Sequence, residues 1–411
     1  MLATLFEALA MNLKTVYTLP TMLCMCAVVS AQTPTIAPEW NFRLRHEQVD
    51  DAAFRADARA DTLRLRAGLR FAFADHWSAL LEGEGVVAAG DRYNSGANGG
   101  TRYPTVIDPE GAELNQAWIG WHDARFAATL GRQRILLDNQ RWVGNVGWRQ
   151  NEQTFDAVVT EWKATDALTV KVDWLASVQR VNGDHALDSF ARDRDLNTHL
   201  FNVAYKLAAQ QWIGYAYLHE DLDVASASTA SFGLRWSGDW TTDGSGWAWS
   251  AEAARQSDYA DNPLGFAHNY WLLEPAYSVQ GTTIKLGWEH LGGSGRHALQ
   301  TPLATLHAFD GWADKFLTTP VGGLEDRYLS VGGKFGHIGE GRYAWTVAYH
   351  DYRADTATAG GSNYGREWDA SLGFPLTNGL TALVKLADYR SDGFARDTTK
   401  FWLQLEWIGP K

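Results

Sequence analysis

A stretch near the amino terminus alternates between apolar residues and basic or small ones: Leu63-Arg64-Leu65-Arg66-Ala67-Gly68-Leu69-Arg70-Phe71. In a β-strand successive side chains point to opposite faces, so this stretch has one apolar face and one face that carries Arg64, Arg66 and Arg70. If the apolar face meets lipid, the opposite orientation would move each arginine into hydrocarbon at up to about 2–4 kcal/mol. The sum is comparable to the whole stability of a domain, so only one orientation of this strand is predicted.

The same two-residue period recurs along the rest of the chain. Between residues 168 and 178, for example, Val170, Val172 and Val178 share one face, and Lys171 lies on the other. About 18 segments alternate in this way, near residues 38–50, 61–74, 76–90, 111–122, 124–134, 153–163, 167–180, 196–207, 210–221, 229–239, 246–257, 268–279, 281–292, 325–337, 340–353, 365–375, 379–390 and 398–408. Most are long enough to cross a membrane as tilted strands of about 9–11 residues, which predicts an all-β fold.

The fifth segment allows two interpretations. Phe126, Ala128 and Leu130 have the same parity as Arg132 and Arg134. Either the apolar band ends at Leu130, or a β-bulge reverses the faces after it.

The connections between the segments alternate in length. Short links such as 74–76, 164–166 and 208–210 separate long ones such as 91–110, 135–152, 293–324 and 354–364. This sorting is typical of a transmembrane antiparallel β-barrel with an even number of strands, here about 18, with short periplasmic turns and long extracellular loops. The chain also contains 20 tryptophans. Those near strand ends would form aromatic girdles; the alternative is that they are core aromatics of a soluble β-fold.

The first residues have the features of a secretory signal. Met11-Asn12-Leu13-Lys14 precedes an apolar run, and Val29-Ser30-Ala31 fits a cleavage site made of small residues. We therefore expect a signal peptide over residues 1–31 and one outer-membrane β-barrel domain over residues 32–411. A spanning helix is the alternative, but the apolar run is shorter than the roughly 20 residues that a bilayer requires.

Charge and motifs exclude several functions. The formal net charge is −12 and no basic tract is present, so nucleic acid is not an expected partner. The chain lacks the Gly-x-Ser-x-Gly, Walker and Gly-x-Gly-x-x-Gly patterns and has no His or Cys pair at zinc-binding spacing. We expect no enzyme activity, no cofactor and no metal site; a hydrolase at the outer surface is an alternative without a supporting motif. A closed barrel of about 16–18 strands does leave an aqueous channel, which makes the pore the candidate site.

Parity assigns charges of both signs to the inner face of the barrel. The inward basic residues include Arg43, Arg45, Arg64, Arg66, Arg70, Lys171, Arg235 and Lys285. The inward acidic residues include Glu47, Glu82, Glu84, Asp173, Glu252, Glu274 and Glu289. The two signs are nearly balanced. Either they form ion pairs that brace the wall, or the basic residues line a pore that conducts anions.

The densest polar segment spans residues 130–156 and contains four arginines. These are Arg132, Arg134, Arg141 and Arg149. The segment resembles the signature stretch of the alginate export family of Gram-negative outer-membrane proteins, and the strand layout over residues 40–407 is similar to that family's barrel. The resemblance implies a passive outer-membrane channel and, in the namesake of the family, secretion of an anionic polyuronate through an arginine-rich constriction. Because the four arginines lie in the matching stretch, the resemblance makes them candidate constriction residues here.

The resemblance also implies surrounding outer-membrane lipid and lipopolysaccharide and, for export, periplasmic partners. The chain departs from the family in two respects. The charges on the inner face are nearly balanced, and the last residues, Trp407-Ile408-Gly409-Pro410-Lys411, do not end in an aromatic residue. We predict a channel for anionic saccharides, polyuronate or small anionic solutes. The eight inward basic residues and the four arginines together form the predicted pore-lining set. The alternatives are a general small-solute porin and a structural barrel plugged by the 293–324 loop.

Overall fold

Within residues 34–338 and 341–409, which the computed structural model describes, the chain forms one closed sheet of 18 antiparallel strands. The strands are β1 Thr35–Asp51, β2 Ala58–Phe73, β3 Trp77–Ala88, β4 Gly111–His122, β5 Phe126–Gln133, β6 Thr154–Lys163, β7 Leu168–Gln179, β8 Asp193–Leu207, β9 Gln210–His219, β10 Thr229–Asp239, β11 Gly246–Asp258, β12 Ala267–Val279, β13 Thr282–Leu291, β14 Leu324–Ile338, β15 Gly341–Thr358, β16 Gly361–Thr377, β17 Leu380–Ser391 and β18 Thr398–Ile408. Each strand pairs with its neighbours in sequence, and β18 pairs with β1.

The predicted all-β barrel is therefore confirmed, and each of the 18 predicted segments coincides with one strand. The predicted signal peptide, residues 1–31, lies outside the described residues and stays a prediction. No helix in the described part of the chain is long and apolar enough to cross a membrane.

The barrel exposes apolar side chains and buries polar ones. On β2, Leu65 and Leu69 are 49% and 44% exposed on the outer face, whereas Arg64 and Arg66 on the inner face are 0% and 6% exposed. A soluble protein distributes these residue classes the other way round. The outer surface is therefore suited to lipid, with the strand orientation that the alternation predicts.

The two rims of the barrel differ in the length of their connections. Each even-numbered strand leads to the next odd-numbered strand through two to six residues, whereas the opposite rim carries connections of up to 32 residues. We name these the short-turn rim and the long-loop rim. The long link predicted at 354–364 is wrong: β15 continues to Thr358 and β16 begins at Gly361, so the strands extend as a hairpin and only residues 359–360 connect them.

Tryptophans gather near the short-turn rim. Trp77 begins β3, Trp247 lies at the start of β11 and Trp407 lies at the end of β18, and all three are exposed on the outer face. Trp40 packs edge-on against Trp407, with ring centroids 4.4 Å apart. Such amphipathic rings suit the boundary between hydrocarbon and water, as in an aromatic girdle.

A β-bulge in β7 reverses part of the predicted alternation. The register shifts between Leu175 and Ser177, which leaves Ala176 as an extra residue. One extra residue exchanges the two faces of the strand beyond it. Val178 therefore points into the barrel, where it is buried, and not outward as its parity predicts.

Candidate functional site

Two loops from the long-loop rim pair with each other and contact the inner wall of the barrel. They are residues 134–153, between β5 and β6, and residues 292–323, between β13 and β14; we name them the first and second inner loop. Val143 and Leu303 form a parallel bridge between them, and the Gln153 amide donates to the Leu303 carbonyl at 3.0 Å. Most of the stretch that carries the family resemblance therefore lies inside the barrel.

Aromatic packing anchors the first inner loop to one side of the wall. The ring of Trp142 lies 5.8 Å from that of Tyr215 on β9 and 5.4 Å from that of Tyr270 on β12. The indole N–H donates to the Glu252 carboxylate on β11 at 2.7 Å. Because a buried indole requires a hydrogen-bond acceptor, these contacts hold Trp142 in one orientation.

The arginines of β1 bind the backbone of the same loop on the other side. Arg43 donates to the carbonyls of residues 147–149 at 3.1 to 3.2 Å. Arg45 donates to the carbonyl of Trp148 at 2.5 Å. A guanidinium has five N–H donors and no acceptor, so the carbonyl oxygens of a loop are suitable partners for it.

The arginines of β2 reach the next residue of the loop. Arg64 and Arg66 donate to the carbonyl of Gln150 at 3.4 and 3.1 Å, and Arg66 also pairs with Glu84 and Glu152. Together with the two arginines of β1, these side chains are buried between wall and loop. The prediction that they line an open pore therefore needs correction, because they brace the first inner loop against the wall.

Arg141 of the first inner loop forms a buried bridge to the second loop and the wall. It binds Glu289 on β13 at 2.7 Å and Asp310 of the second inner loop at 2.9 Å. Burial lowers the pKa of Arg141, but Asp310 and Glu289 outweigh burial and raise it above its usual range. The side chain is thus a permanent cation that links three segments.

Arg149 forms a second bridge of the same kind. It binds Glu47 on β1 at 3.2 Å and Asp314 of the second inner loop at 2.9 Å. Asp314 also accepts from Lys400 at 2.7 Å and from Nδ1 of His307 at 2.6 Å. Burial opposes ionisation of Asp314, yet its basic neighbours hold its pKa well below the usual range. Burial lowers the pKa of His307 to about 3, so its ring is neutral near pH 7.

Lys385 on β17 is enclosed by side chains of both inner loops. Its Nζ lies 3.7 Å from the ring centroid of Trp312 and 4.2 Å from that of Trp148, and it donates to Nε2 of His307 at 2.7 Å. An ammonium over aromatic faces gains about 0.5–2 kcal/mol from cation–π attraction. Lys385 therefore fixes the meeting point of the two inner loops.

Arg132 and Arg134 lie on different sides of the wall. Arg134 binds Glu82 on the inner face of β3 at 2.9 Å. No register shift occurs in β5, so Arg132 keeps the parity of Leu130, which is 55% exposed on the outer face. There Arg132 pairs with Asp156 at 2.9 Å. The apolar band ends at Leu130, and the prediction that Arg132 lines a constriction is corrected.

The remaining predicted residues pair with acidic side chains of neighbouring strands. Lys171, Arg235 and Lys285 bind Glu161, Glu252 and Glu274 at 3.3, 2.9 and 3.1 Å, and Arg70 binds Glu39. Cross-strand pairs of opposite charge stabilise a sheet. Every member of the predicted set thus has an acidic or carbonyl partner, which favours the bracing interpretation over free pore-lining cations.

Arg180, which sequence parity did not identify, lacks such a partner. It follows β7, and no hydrogen bond or ion pair joins its side chain to another residue within 34–338 and 341–409. Burial, reinforced by the charge of Arg194, lowers its pKa to about 10 and outweighs the opposing charges of Asp221 and Asp188. Arg180 has the parity of Val178, so the bulge at Ala176 turns it inward; no pattern in a single sequence marks that bulge.

Arg180 lines two adjoining cavities on the long-loop side of the inner loops, which we name the outer cavities. Their volumes are about 210 and 440 Å³. The other ionisable lining residues are Arg149, Arg194, Arg296, His297, His307 and Asp314. Asp314 is already bound by three donors, and Arg296 is exposed. Because Arg149 and Arg194 pair with acidic side chains, the excess positive charge of the outer cavities rests on Arg180 and the exposed Arg296.

A third cavity, of about 410 Å³, lies toward the short-turn rim, and we name it the inner cavity. Wall residues such as Arg235, Lys285 and Tyr328 line it together with residues 308–312 of the second inner loop. It shares no lining residue with the outer cavities. In the described ranges, no group of three or more His, Cys, Asp or Glu side chains is arranged to hold a metal ion.

Comparisons with known proteins agree with this architecture. Among solved structures, Pseudomonas aeruginosa OccK9 (OpdG) has 14% identity and a TM-score of 0.72, over 92% of this chain and 98% of that one. Acinetobacter baumannii OccAB3 has 12% identity and a TM-score of 0.70, over 91% and 99%. Pseudomonas aeruginosa OccK2 (OpdF) has 13% identity and a TM-score of 0.69, over 91% and 97%. At these identities the likeness establishes the fold.

The family comparison goes further. No curated protein matches the chain. The sequence model of the alginate export family matches residues 39–275, more than half of the 411 residues, and so confirms the predicted resemblance. The chain therefore belongs to the alginate export family and is a porin-like channel of the outer membrane of a Gram-negative bacterium.

Proposed function

We propose that this channel conducts small anionic solutes by passive diffusion and selects them in the outer cavities. The observation that carries the proposal is Arg180, a partly buried cation that lines both outer cavities and whose side chain makes no hydrogen bond or ion pair with the described residues. The carboxylates of Asp221 and Asp188 act on it only at longer range. An anion that enters this space gains charge-assisted hydrogen bonds and restores the solvation that burial removes from the guanidinium. The carboxylate of a sugar acid has this chemistry.

The size of the cavities supports single sugars or short oligosaccharides as solutes. The volumes of the three cavities are about 210 to 440 Å³. Small-molecule sites usually measure roughly 300–1,000 Å³, so these cavities are small. A polymer such as polyuronate needs a continuous path, and the bridges of Arg141 and Arg149 hold both inner loops across the lumen. Export of a polymer, with periplasmic partners, would require these loops to leave the lumen.

The test is ion selectivity of the purified channel in planar bilayers, with Arg180→Gln as the variant. We expect a reversal potential that favours anions and partial block of the current by galacturonate. Arg180→Gln should weaken that block about 10-fold, because a hydrogen bond to a charged group contributes about 1.5–3 kcal/mol. Arg55→Gln is the matched control, since Arg55 is exposed on a loop of the same rim.

Other outcomes would contradict the proposal. A channel without ion preference whose current galacturonate leaves unchanged would be a general small-solute porin. Absence of any conductance would instead favour a structural barrel plugged by its inner loops. Passage of long oligouronates in liposome swelling would restore the polymer alternative.

A further inference from the structure

The inner cavity differs in charge from the outer cavities. Five carboxylates line it, from Glu274, Glu289, Asp310, Asp326 and Asp369. The basic lining residues are Arg235 and Lys285, together with His350. Acidic groups therefore outnumber basic ones in this part of the lumen, whereas the proposed function is the conduction of anions.

The bases of the inner cavity are already engaged. Arg235 binds Glu252 at 2.9 Å and Lys285 binds Glu274 at 3.1 Å. His350 donates through Nδ1 to Asp326 at 2.8 Å. Nε2 of His350 lies 3.8 Å from Oδ2 of Asp369, beyond hydrogen-bond distance. None of these three bases therefore donates a hydrogen bond to Asp310 or Asp369.

Two carboxylate oxygens at this cavity accept no hydrogen bond from any residue that the structure describes. The first is Oδ1 of Asp310, whose Oδ2 accepts from Arg141. The second is Oδ1 of Asp369, whose Oδ2 accepts from the backbone N–H of Trp312 at 3.2 Å. Asp310 and Asp369 are 5% and 1% exposed, so each oxygen is largely removed from solvent and accepts no hydrogen bond from a basic side chain or a backbone N–H. An unsatisfied buried charged group costs more free energy than an unsatisfied neutral one.

A neighbouring residue strengthens the field. Glu367, two residues from Asp369 on β16, is fully buried and also has an unpartnered oxygen, Oε2. The carboxyl groups of Glu367 and Asp369 lie within hydrogen-bond reach of each other, and two such groups repel unless a proton or a cation lies between them. The lining also includes the rings of Phe309, Trp312 and Tyr328, whose faces attract cations.

We propose that the inner cavity binds the ammonium group of a small solute, such as the primary amine of an amino sugar. An ammonium supplies three N–H donors and one positive charge, and so can bind the oxygens of Asp310 and Asp369 that accept no hydrogen bond from the described residues. Ser330 and Thr346, which also line the cavity, offer hydroxyls to the rest of a sugar ring. This site is separate from the outer cavities and does not depend on the proposed selection of anions there.

The test compares glucosamine with N-acetylglucosamine, in which the amine is capped, as blockers of the current in planar bilayers. Each sugar is added to either side in turn. We expect glucosamine to reduce the current at concentrations at which N-acetylglucosamine has no effect. Asp369→Asn should raise the half-blocking concentration of glucosamine about 10-fold, in line with the loss of one charge-assisted hydrogen bond.

Asp261→Asn is the charge-matched control, because Asp261 is exposed on the loop between β11 and β12. Equal block by the two sugars would overturn the proposal even if Asp369→Asn failed to fold, and so would an unchanged glucosamine block in that variant. Either result would mean that the unpartnered oxygens share protons among themselves. The galacturonate block and its Arg180 dependence are measured without amine, so failure of one site is distinguishable from failure of the other.

Discussion

Replacement of Arg149 by Met tests whether buried bridges hold the inner loops in the lumen. Arg149 binds Glu47 at 3.2 Å and Asp314 at 2.9 Å. In the variant, Asp314 still accepts hydrogen bonds from Lys400 and His307. The Glu47 side chain loses its one donor among the described residues, because Oε2 accepts from Arg149 and Oε1 accepts from none of them. Removal of one partner from a buried ion pair costs about 3–5 kcal/mol. Since about 1.4 kcal/mol is a factor of ten, the ratio of docked to undocked loops should fall by roughly two orders of magnitude or more.

Single-channel recording measures this change directly. We expect Arg149→Met to add frequent steps to a higher conductance level that are rare in the wild type. Arg132→Met is the control, because Arg132 pairs with Asp156 on the outer face and should leave the conductance unchanged. The double variant Glu47→Gln/Arg149→Met removes the stranded charge and should restore part of the wild-type behaviour. Identical conductance and dwell times in wild type and Arg149→Met would refute the role assigned to the bridge.

Three further changes follow from the same geometry. His307 in its docked position has a pKa of about 3, below its usual value. Docking of the second inner loop should therefore lose stability as pH falls below about 6.5, by about 2 kcal/mol at pH 5. Steps to the higher conductance level should increase at pH 5 in the wild type but not in His307→Gln. Leu65→Arg puts a charge on the lipid face and should destabilise the barrel by about 2–4 kcal/mol in urea unfolding from vesicles, whereas a loss no larger than that of Leu65→Ala would contradict the lipid-facing assignment. Trp148→Ala removes a ring stacked 4.6 Å from His307 and should cost about 3–5 kcal/mol, measured as faster proteolysis within residues 134–153; an unchanged cleavage rate would contradict the anchoring role.

The number of strands and the direction of their side chains were predictable because, in a membrane barrel, apolar lipid-facing residues alternate with polar lumen-facing residues along each strand. In β2, leucines and arginines occupy opposite parities over the whole segment, so lipid and lumen can be assigned without any tertiary contact. The end of β15 was not predictable in this way. Residues 354–358 are polar or small and project beyond the apolar band, where strand and loop have similar composition.

The site was predictable only in part, because parity gives the face of a residue but not its partner. Parity correctly predicted that Arg43 and Arg64 point into the barrel. Their partners, however, include backbone carbonyls of a loop more than 80 residues away in sequence. Arg180 was missed for a different reason. Its direction depends on one extra residue, Ala176, that changes neither composition nor hydrophobicity.

The way in which the wall holds the first inner loop bears on how this channel can change over evolutionary time. Arg43, Arg45, Arg64 and Arg66 bind main-chain carbonyl groups of residues 147–150. Every amino acid has such a carbonyl, so these bonds tolerate substitution of the loop side chains. The attachment of the loop is thereby independent of its surface chemistry. A barrel of this construction can acquire a new solute preference through loop side chains while its wall stays the same.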